Sequence, residues 1–585
     1  LLTVKARFVS GTSHYNLDTV ELRVPVHWRR SFVIAVVHPD GSAFAESGPE
    51  FWDSLRLDRL HVNQHQSDGL VSIPSRITPS DLRTGGLGFF SFDLLALTGP
   101  GLSVLGASQL EAIGDWVEAG GSLLVIADRT LTIAQANFLN RMAGLSEDDS
   151  TWHINTTDRR QQTAVELNAK YRRYRPGLGR AVVLPAPPDP DQLAELRELV
   201  AFLWKLRADR LSEFRETGTW KIPPQDASPS QTGAFNDPYR PRRPYQPIPL
   251  VETDSLVTIL LPEEVQGLPF AVVVSILTTF LIVIVPVDYL LLGYLKRRRY
   301  TWILLPIVSL AFTWLTVALG NAYLGSTDYR TSLEFLDLAA GDRVIRSSRF
   351  ELLFTATQRE ATTNLQQTLH VTMPAQKKTT DDDWDSPGAL LTFNEKNQTA
   401  GATEHPLKPE LPMYEGALPA SFAVRQQMRK WSPQLSRQTA LRTARPVPQF
   451  DLDHIEATLR AAPKVLAGAE WQRALRERIH ESLPKADVLL FNRNQVFDLT
   501  HTAAPERQVE TGSKHGQLLT LVRTVCVRPP HGLFSVVSQL SPNGAGDFED
   551  LSLLDPGDAD QWLLVIVAGQ GNDYVVFRRL FHGEE

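Results

Sequence analysis

Cysteine is nearly absent from this chain, which has a single one, Cys526, among 585 residues. Within the chain, this excludes a disulfide and any metal site built from several cysteines. Cys526 lies in the alternating run LVRTVCVRP, and this pattern predicts a β-strand. We therefore expect a buried structural thiol there, since a reactive cysteine needs a neighbouring histidine and a turn or a helix end.

Excess positive charge is also lacking. Lysine and arginine together number 59 against 66 acidic residues, and the formal net charge is −7. A protein that binds the nucleic-acid backbone needs a basic surface, so we predict no nucleic-acid partner. The remaining composition, with 43% hydrophobic and 21% charged residues, is typical of globular domains, and the length predicts about three or four of them.

Charged residues are missing from two long apolar runs, 268–287 and 300–324. A helix needs about 20 apolar residues to cross the hydrocarbon layer of a membrane, and both runs reach that length. Tyr300 and Trp302 lie at one end of the second run and Tyr323 lies at the other, where aromatic side chains anchor a helix at the lipid surface. The two runs therefore predict a transmembrane helical hairpin.

The charges beside the hairpin predict its orientation. Glu263 and Glu264 precede the first run. The short loop between the runs ends in four consecutive cations: Lys296, Arg297, Arg298 and Arg299. Because positive residues remain on the cytoplasmic side of a membrane, we expect this basic loop in the cytoplasm. Both large flanking regions are then expected in the periplasm, on the outer side of a bacterial inner membrane.

Asp288 is an acidic residue near the inner end of the first predicted membrane helix. An acid inside a membrane can mark an ion path. Asp288 also lies about two turns from the basic loop 296–299, where its carboxylate can reach the interface or pair with a cation. We favour this structural interpretation.

A βαβ pattern precedes the membrane runs. Apolar strands are predicted in FVIAVVHPDG, FDLLALTG, GSLLVIAD and GLGRAVVLP. Between the second and third of these strands, an amphipathic helix is predicted with Leu110, Ile113 and Val117 on one face and Gly120 at its end. This order predicts a parallel, doubly wound α/β sheet.

These segments, above all the helix ending in WVEAGG and the apolar strand after it, resemble the class I glutamine amidotransferase-like domain of bacterial membrane proteins. The resemblance covers residues 30–215. Active members of that family carry a nucleophilic cysteine on the sharp turn after this strand, so the resemblance implies that the nucleophile would lie at this turn. Here Ala127 or Asp128 occupies that place, and no cysteine is present in the domain. We therefore expect a degenerate, catalytically inactive domain.

Other polar residues leave alternatives open. Asp128 could bind a ligand at the carboxyl end of its strand, although a turn or capping role is favoured. His61 and His65 have the spacing of a helical metal pair, but no third ligand is evident in the sequence. Asp381 begins an acidic run that departs from the calcium-loop pattern. We predict no catalytic residue, no cofactor and no metal site.

The flanks of the hairpin differ in character. Residues 222–249 are rich in proline, which predicts an extended linker. After the hairpin, alternation predicts strands in TSLEFLDL, VIRSSRFELLF, TLHVTM, ADVLLFN, QWLLVIVA and DYVVFRRLF. A short helix is predicted over Ser421–Trp431, and another in AEWQRALRERIHESL. This order is consistent with a β-sandwich followed by a mixed α+β lobe.

The predicted fold class is multidomain α/β plus α+β. Its predicted parts follow in chain order. They are an N-terminal β segment (1–29), an amidotransferase-like α/β domain (30–217), a proline-rich linker with a short strand (218–266), the transmembrane hairpin (267–325), a β-rich domain (326–400) and an α+β C-terminal region (401–585). The whole order resembles bacterial inner-membrane proteins of planctomycete type, and this resemblance implies no substrate.

Three functions are compatible with these features. We favour a non-enzymatic, membrane-anchored scaffold or subunit of a larger inner-membrane complex. Its partners would be the lipid bilayer and other membrane or periplasmic protein subunits. The second is an auxiliary subunit of an ABC-type transporter or of gliding-like machinery, by analogy alone. The third is an extracytoplasmic hydrolase with a non-cysteine site, although no Ser-His-Asp spacing or G-x-S-x-G motif is present.

Overall fold

The fold is described from a computed structural model. It covers residues 2–6, 20–24, 31–39, 49–56, 71–127, 131–144, 172–186, 199–205, 253–262, 265, 270–284, 294, 301–324, 327–373, 412–443, 446–448, 450–453, 469–492, 495–499, 514–527, 551–554, 561–570 and 573–582. The structure has mixed α/β content with several sheets. Two compact units are present. The first contains Leu1–Pro249, Asn492–Asn494 and Val525–Trp562, and the second contains Leu250–Phe491, Gln495–Thr524 and Leu563–Glu585.

The first unit is built on a six-stranded sheet in the order β4-β3-β5-β6-β8-β7. Neighbouring strands are parallel except for β7, which pairs antiparallel with β8 at one edge. A separate antiparallel ribbon is formed by β1 (Leu2–Ala6) and β2 (Val20–Val24). The strands of the larger sheet are β3 (Ser31–Val37), β4 (Val71–Ile77), β5 (Leu94–Leu97), β6 (Ser122–Ile126), β7 (Arg172–Tyr174) and β8 (Arg180–Leu184).

Helices pack on both faces of this sheet, because successive strand residues point to opposite sides. One apolar cluster joins alternate strand residues to the first helix and to helical residues 199–203. The other joins the remaining strand residues to the next three helices. These helices are α1 (Pro49–Ser54), α2 (Gly99–Val104), α3 (Ala107–Glu118) and α4 (Ile133–Ala143). The predicted strands and the α3 face of Leu110, Ile113 and Val117 are confirmed, and Gly120 after α3 has φ 121°.

The second unit begins with three helices and continues into two sheets. An eight-stranded sheet has the order β12-β15-β10-β9-β19-β18-β16-β17, and a three-stranded sheet has the order β11-β14-β13. The helices are α5 (Thr253–Leu260), α6 (Phe270–Ile282), α7 (Thr301–Leu324), α8 (Ala469–Ser482) and α9 (Lys514–Val527). The strands are β9 (Tyr329–Leu338), β10 (Val344–Phe354), β11 (Arg359–Gln366), β12 (Thr368–Met373), β13 (Met413–Ala417), β14 (Ser421–Met428), β15 (Pro433–Leu441), β16 (Asp487–Asn492), β17 (Gln495–Asp498), β18 (Gln561–Gln570) and β19 (Asp573–His582).

The C-terminal strand closes the middle of the eight-stranded sheet. β19 lies parallel to β9, whereas β9 and β15 flank β10 antiparallel to it. A buried charge cluster crosses this junction, because the Asp337 carboxylate accepts from Arg346 Nε at 2.7 Å and from Arg578 Nε at 2.9 Å. The sheet takes strands from both sides of the border predicted at residue 400. The three-stranded sheet likewise combines a strand from before residue 400 with two strands from after it.

The prediction of a strand around Cys526 is wrong. Cys526 lies in helix α9 and is buried. The buried side chains Leu518, Val522 and Val525 recur at the three- and four-residue spacing of a helix, with Thr520 exposed between them. The expectation of a buried thiol is nevertheless confirmed.

The prediction of a helix over Ser421–Trp431 is also wrong. Residues Ser421–Met428 form strand β14, and residues from Pro433 onwards form strand β15. Phe422, Val424 and Met428 are buried on one face of β14, at the even spacing of a strand. Pairing with β11 along the whole length of β14 overrides the helix-favouring residues Arg, Gln and Met in this segment.

Candidate functional site

The most unusual surface of the described chain is the apolar outside of α6 and α7. Leu310 and Trp314 of α7 are each 72% exposed, and large apolar side chains of α6, such as Leu277 and Leu281, are exposed as well. Only 6% of the span Leu305–Tyr323 is buried. Soluble proteins rarely expose a continuous apolar surface of this kind. The helices are therefore not the buried core of a globule.

Length and composition single out α7. The span Leu305–Tyr323 is long and apolar enough to cross a membrane, and it is the one such helix among the described residues. Ala271–Ile282 in α6 is also apolar but shorter, and residues 285–293 after it lie outside the described part of the chain. One candidate membrane helix is thus established on length and apolarity.

Three threonine hydroxyl groups on these helices donate hydrogen bonds within their own helix. Thr279 Oγ1 donates to the Ser275 carbonyl at 2.7 Å in α6. In α7, Thr313 and Thr316 donate to the carbonyls of Ser309 and Phe312, each at 2.8 Å. A hydroxyl without a partner is costly in hydrocarbon, and this bond to the carbonyl four residues earlier removes that cost.

The two apolar helices contact each other. The rings of Phe280 and Phe312 meet edge to face, with centroids 5.2 Å apart. Phe280 lies ten residues after Phe270, the first residue of α6, and Phe312 lies twelve residues before Leu324, the last residue of α7. The contact therefore lies at a similar distance from the first residue of α6 and from the last residue of α7.

The chain segments that enter and leave the apolar region are bonded to each other. Thr331 Oγ1, at the start of β9, donates to the Leu260 carbonyl at the end of α5 at 2.6 Å. Lys514, the first residue of α9, donates to the neighbouring carbonyl of Leu261. These bonds satisfy carbonyl groups at the end of α5. Residues 260 and 331 therefore lie side by side, although the whole apolar region separates them in sequence.

A tryptophan from the β14–β15 corner rests on α7. A Cβ atom added to Gly320 would lie 2.8 Å from Trp431 Cη2, so the indole ring lies against the bare backbone of α7 at that residue. The ammonium group of Lys430 lies over the same ring, 3.9 Å from its centroid. The sequence interpretation missed this contact, because it placed Trp431 at the end of a helix.

The crevice of the α/β sheet is occupied by the chain itself. The chain passes from β3 to β4 on one side and then to β5 on the other, so the ligand-binding switch point of such a sheet lies between the carboxyl ends of β3 and β5. There Thr98 Oγ1 donates to the Val37 carbonyl at 2.8 Å and accepts from Gly101 N at 3.1 Å. A Cβ on Gly101 would lie 2.2 Å from Val37 O. The first turn of α2 therefore fills this position.

The turn after β6, where the family resemblance predicts a nucleophile position, has apolar surroundings at its described residue. Ala127 follows β6, its N–H donates to the Leu184 carbonyl at 2.8 Å, and its side chain packs on the apolar cluster that includes Leu131. Asp128 lies outside the described residues. So do Asp288, Lys296, Arg297, Arg298, Arg299, His61, His65 and Asp381.

Comparison of the chain with protein-family models, with curated proteins and with solved structures gives no match. The amidotransferase-like resemblance of the first unit therefore stays a prediction. No group of three or more potential metal ligands occurs among the residues that the structure describes.

Proposed function

We propose that this chain is a non-enzymatic, membrane-anchored subunit or scaffold of a larger bacterial inner-membrane complex. In this proposal α6 and α7 form a transmembrane hairpin with the basic loop 296–299 in the cytoplasm. The two folded units are then displayed in the periplasm, where they bind other membrane or periplasmic proteins. The first unit would be an amidotransferase-like domain that has lost its nucleophile.

The hydrogen bond between Thr331 and Leu260 carries this proposal. A chain that leaves the outer surface at residue 260 and is back beside that residue at 331 must cross the membrane an even number of times. The exposed apolar side chains of α6 and α7 and their Phe280–Phe312 contact support two crossings. The hairpin would then be an anchor rather than a transport path, because two helices enclose no channel.

The non-enzymatic part of the proposal rests on the buried cysteine of α9 and on the crevice of the first unit. The only cysteine of the chain, Cys526, is buried in α9. The switch point between β3 and β5 is filled by Thr98 and Gly101, so a small molecule cannot enter there without displacing α2. These observations favour a protein-binding role for the displayed units over hydrolysis.

Cysteine labelling tests the topology. In a Cys526→Ala background, single cysteines replace exposed Ser103 of the first unit, exposed Ser421 of the second unit, or Arg298 of the basic loop. A membrane-impermeant maleimide added to spheroplasts is expected to label Ser103→Cys and Ser421→Cys, and to label Arg298→Cys only after permeabilisation. Labelling of Arg298→Cys from outside, or protection of either folded unit, would contradict the proposal.

Gentle extraction tests the assembly. After solubilisation in a mild detergent, we expect the chain to migrate in a native gel above its own mass and to carry the same membrane proteins in every preparation. Mass spectrometry identifies those proteins. A chain that extracts quantitatively as a partner-free monomer would contradict the role as a subunit.

A further inference from the structure

The β14–β15 corner combines basic and aromatic side chains at the outer end of α7. We call Arg429, Lys430 and Trp431 the basic corner. Arg429 and Lys430 are exposed, and neither forms an ion pair with an acid among the described residues. Trp431 is partly buried against Gly320 of α7. The corner therefore presents two cations beside a helix that exposes apolar side chains along most of its length.

The position of the corner follows from its contact with α7. Gly320 lies three residues before Tyr323, where the apolar span ends, and three residues extend a helix by about 4.5 Å. If α7 crosses a membrane, as the proposed function requires, this level is the boundary between hydrocarbon and headgroups. Tryptophan is enriched at that boundary. Here the indole ring lies against α7, and its Nε1 is buried without a hydrogen-bond partner among the described residues.

The backbone holds the corner in this orientation. Trp431 has φ 57°, a left-handed conformation that bulky residues rarely adopt. Its N–H donates to the Thr355 carbonyl at 2.8 Å, and Thr355 Oγ1 donates to the Arg429 carbonyl at 3.3 Å. The corner is therefore tied on both sides of Lys430 to the end of β10. Gly320 contributes as well, because any larger residue would push the ring off the helix.

Two cations of the nearby strands β11 and β9 are paired with acids. Arg359 pairs with Asp328 at 2.9 Å, and Arg330 pairs with Glu351 at 2.7 Å. Their charges are offset within the protein, so Arg429 and Lys430 are left to attract an anion from outside. At the level of the headgroups, the available anion is a lipid phosphate.

We propose that the basic corner is a binding site for the phosphate group of an anionic phospholipid in the outer leaflet. Arg429 and Lys430 would bind the phosphate, while Trp431 keeps them at the depth of the headgroups. Binding would hold the three-stranded sheet β11-β14-β13 and the neighbouring end of the eight-stranded sheet against the membrane surface. This inference rests on the proposed membrane anchor but is tested separately from it.

Lysine acetylation in vesicles tests the proposal. The full chain is reconstituted into vesicles of phosphatidylcholine alone or of phosphatidylcholine with phosphatidylglycerol, treated with a membrane-impermeant acetylating reagent, and digested for mass spectrometry. Each basic residue near an anionic surface gains about fivefold in attraction. We therefore expect acetylation of Lys430 to slow about fivefold in the phosphatidylglycerol vesicles. Exposed Lys485, in the turn after α8, serves as the internal control and should react equally in both.

Two variants separate lipid binding from a structural role. Arg429→Gln should remove much of the protection of Lys430 by phosphatidylglycerol, because the two cations share one phosphate. In native mass spectra, Arg429→Gln with Lys430→Gln should bind phosphatidylglycerol about 25-fold more weakly than the unmodified chain. The charge-matched control Arg473→Gln with Lys485→Gln, which changes exposed residues of α8 and the turn after it, should bind it normally.

Different failures have different meanings. A chain that does not float with pure phosphatidylcholine vesicles contradicts the membrane anchor, and the lipid site fails with it. A chain that floats, but whose Lys430 reacts equally in both kinds of vesicle, leaves the anchor intact and overturns the lipid site alone. Protection of Lys430 by inorganic phosphate as strong as by phosphatidylglycerol would also overturn it, because the site would then bind free phosphate.

Discussion

At the scale of single residues, Asp337 forms a buried charge cluster in the second unit. Its carboxylate on β9 is shared by Arg346 on β10 and Arg578 on β19, and all three side chains are buried. A buried ion pair adds little net stability over an apolar replacement, but removal of one partner leaves uncompensated charge in a low dielectric. Through Asp337, the position of β19 thereby depends on β9, its neighbour in the sheet.

We expect Asp337→Asn to destabilise the second unit by about 3 kcal/mol or more, because two buried guanidinium groups lose the carboxylate they share. The control is Asp498→Asn, whose partner Arg523 is about as exposed as Asp498 itself, at 40% and 43%. That surface pair should contribute less than about 1 kcal/mol. Heat-induced protease sensitivity of the full chain, followed by mass spectrometry of fragments from residues 329–491 and 495–524, measures both. Equal loss in the two variants would contradict this account.

Asp93 carries the clearest pH dependence in the first unit. Burial raises the pKa of the Asp93 carboxyl to about 6, while the hydrogen bond it accepts from Val33 N at 2.8 Å opposes this rise. The unfolded carboxyl titrates near 3.9. Between about pH 4 and pH 6, the unfolded chain loses this proton while the folded unit keeps it, so stability falls as the pH rises through that window.

Asp93→Asn keeps an oxygen acceptor for Val33 N and removes the charge. We expect this variant to gain about 1–2 kcal/mol of stability near pH 7, and to gain almost nothing at about pH 3, where the carboxyl is mostly protonated in both states. Protease sensitivity of fragments from residues 31–205, measured on heating at both pH values, tests this expectation. A gain that does not depend on pH would mean that the charge of Asp93 is not responsible.

At the scale of elements, periodicity decided which sequence interpretations succeeded. The face of Leu110, Ile113 and Val117 identified α3 because its apolar residues recur at helical spacing beside polar ones. Around Cys526, valine alternates locally with polar residues, but the longer run that includes Leu518 and Val522 has helical spacing. A short window therefore favoured a strand, and the full element is a helix.

The closure of the α/β crevice depends on one element, α2, and on Gly101 within it. Gly101→Ala would place a methyl carbon 2.2 Å from Val37 O, so α2 must move away from β3. We expect a loss of about 2–4 kcal/mol from this overpacking and from disruption of the Thr98 hydrogen bonds.

The matched control for this change is Gly106→Ala. Gly106 has φ −78°, and the atom nearest to the added methyl group, Gln109 Oε1, would be 3.9 Å away. This variant should therefore change stability by less than about 0.5 kcal/mol. Hydrogen exchange of β3 and β5 amides in the full chain compares the two variants. Equal protection in both would mean that the crevice is open enough to accept the methyl group.

At the scale of the whole molecule, the exposed apolar surface of α6 and α7 is unfavourable in water and needs an apolar environment or a partner that shields it. Exposed leucine and tryptophan are ordinary when scattered, but here they run the length of two adjacent helices. In the proposed function a lipid bilayer would cover both helices at once, and the internally bonded threonines suit that environment.

Lysine substitutions distinguish lipid from water around α7. In lipid, each lysine near the helix centre costs about 2.5–3.5 kcal/mol, so Leu310→Lys with Trp314→Lys should release much of the chain from membranes during an alkaline wash. The control Val104→Lys with Ile133→Lys changes residues of the first unit that are 58% and 72% exposed, and it should leave membrane retention unchanged. Normal retention of the α7 variant would show that this surface faces water.

The sequence alone determined the local elements that have long, regular patterns. The sequence predicted the parallel strands, the α3 helix and the apolar run of α7. It could do so because the spacing of apolar residues and the absence of charge are properties of residues that are close in sequence. The inactive state of the amidotransferase-like unit was likewise predicted from the missing cysteine, and it remains a prediction.

Only the tertiary structure decided which distant segments meet. Thr331 and Leu260, Asp337 and Arg578, and Trp431 and Gly320 are pairs far apart in sequence, and no local spacing marks them as partners. Strand pairing likewise made β14 a strand and placed β19 beside β9. These outcomes depend on contacts whose free energy appears only when the whole sheet is assembled, and this is the physical reason the sequence could not supply them.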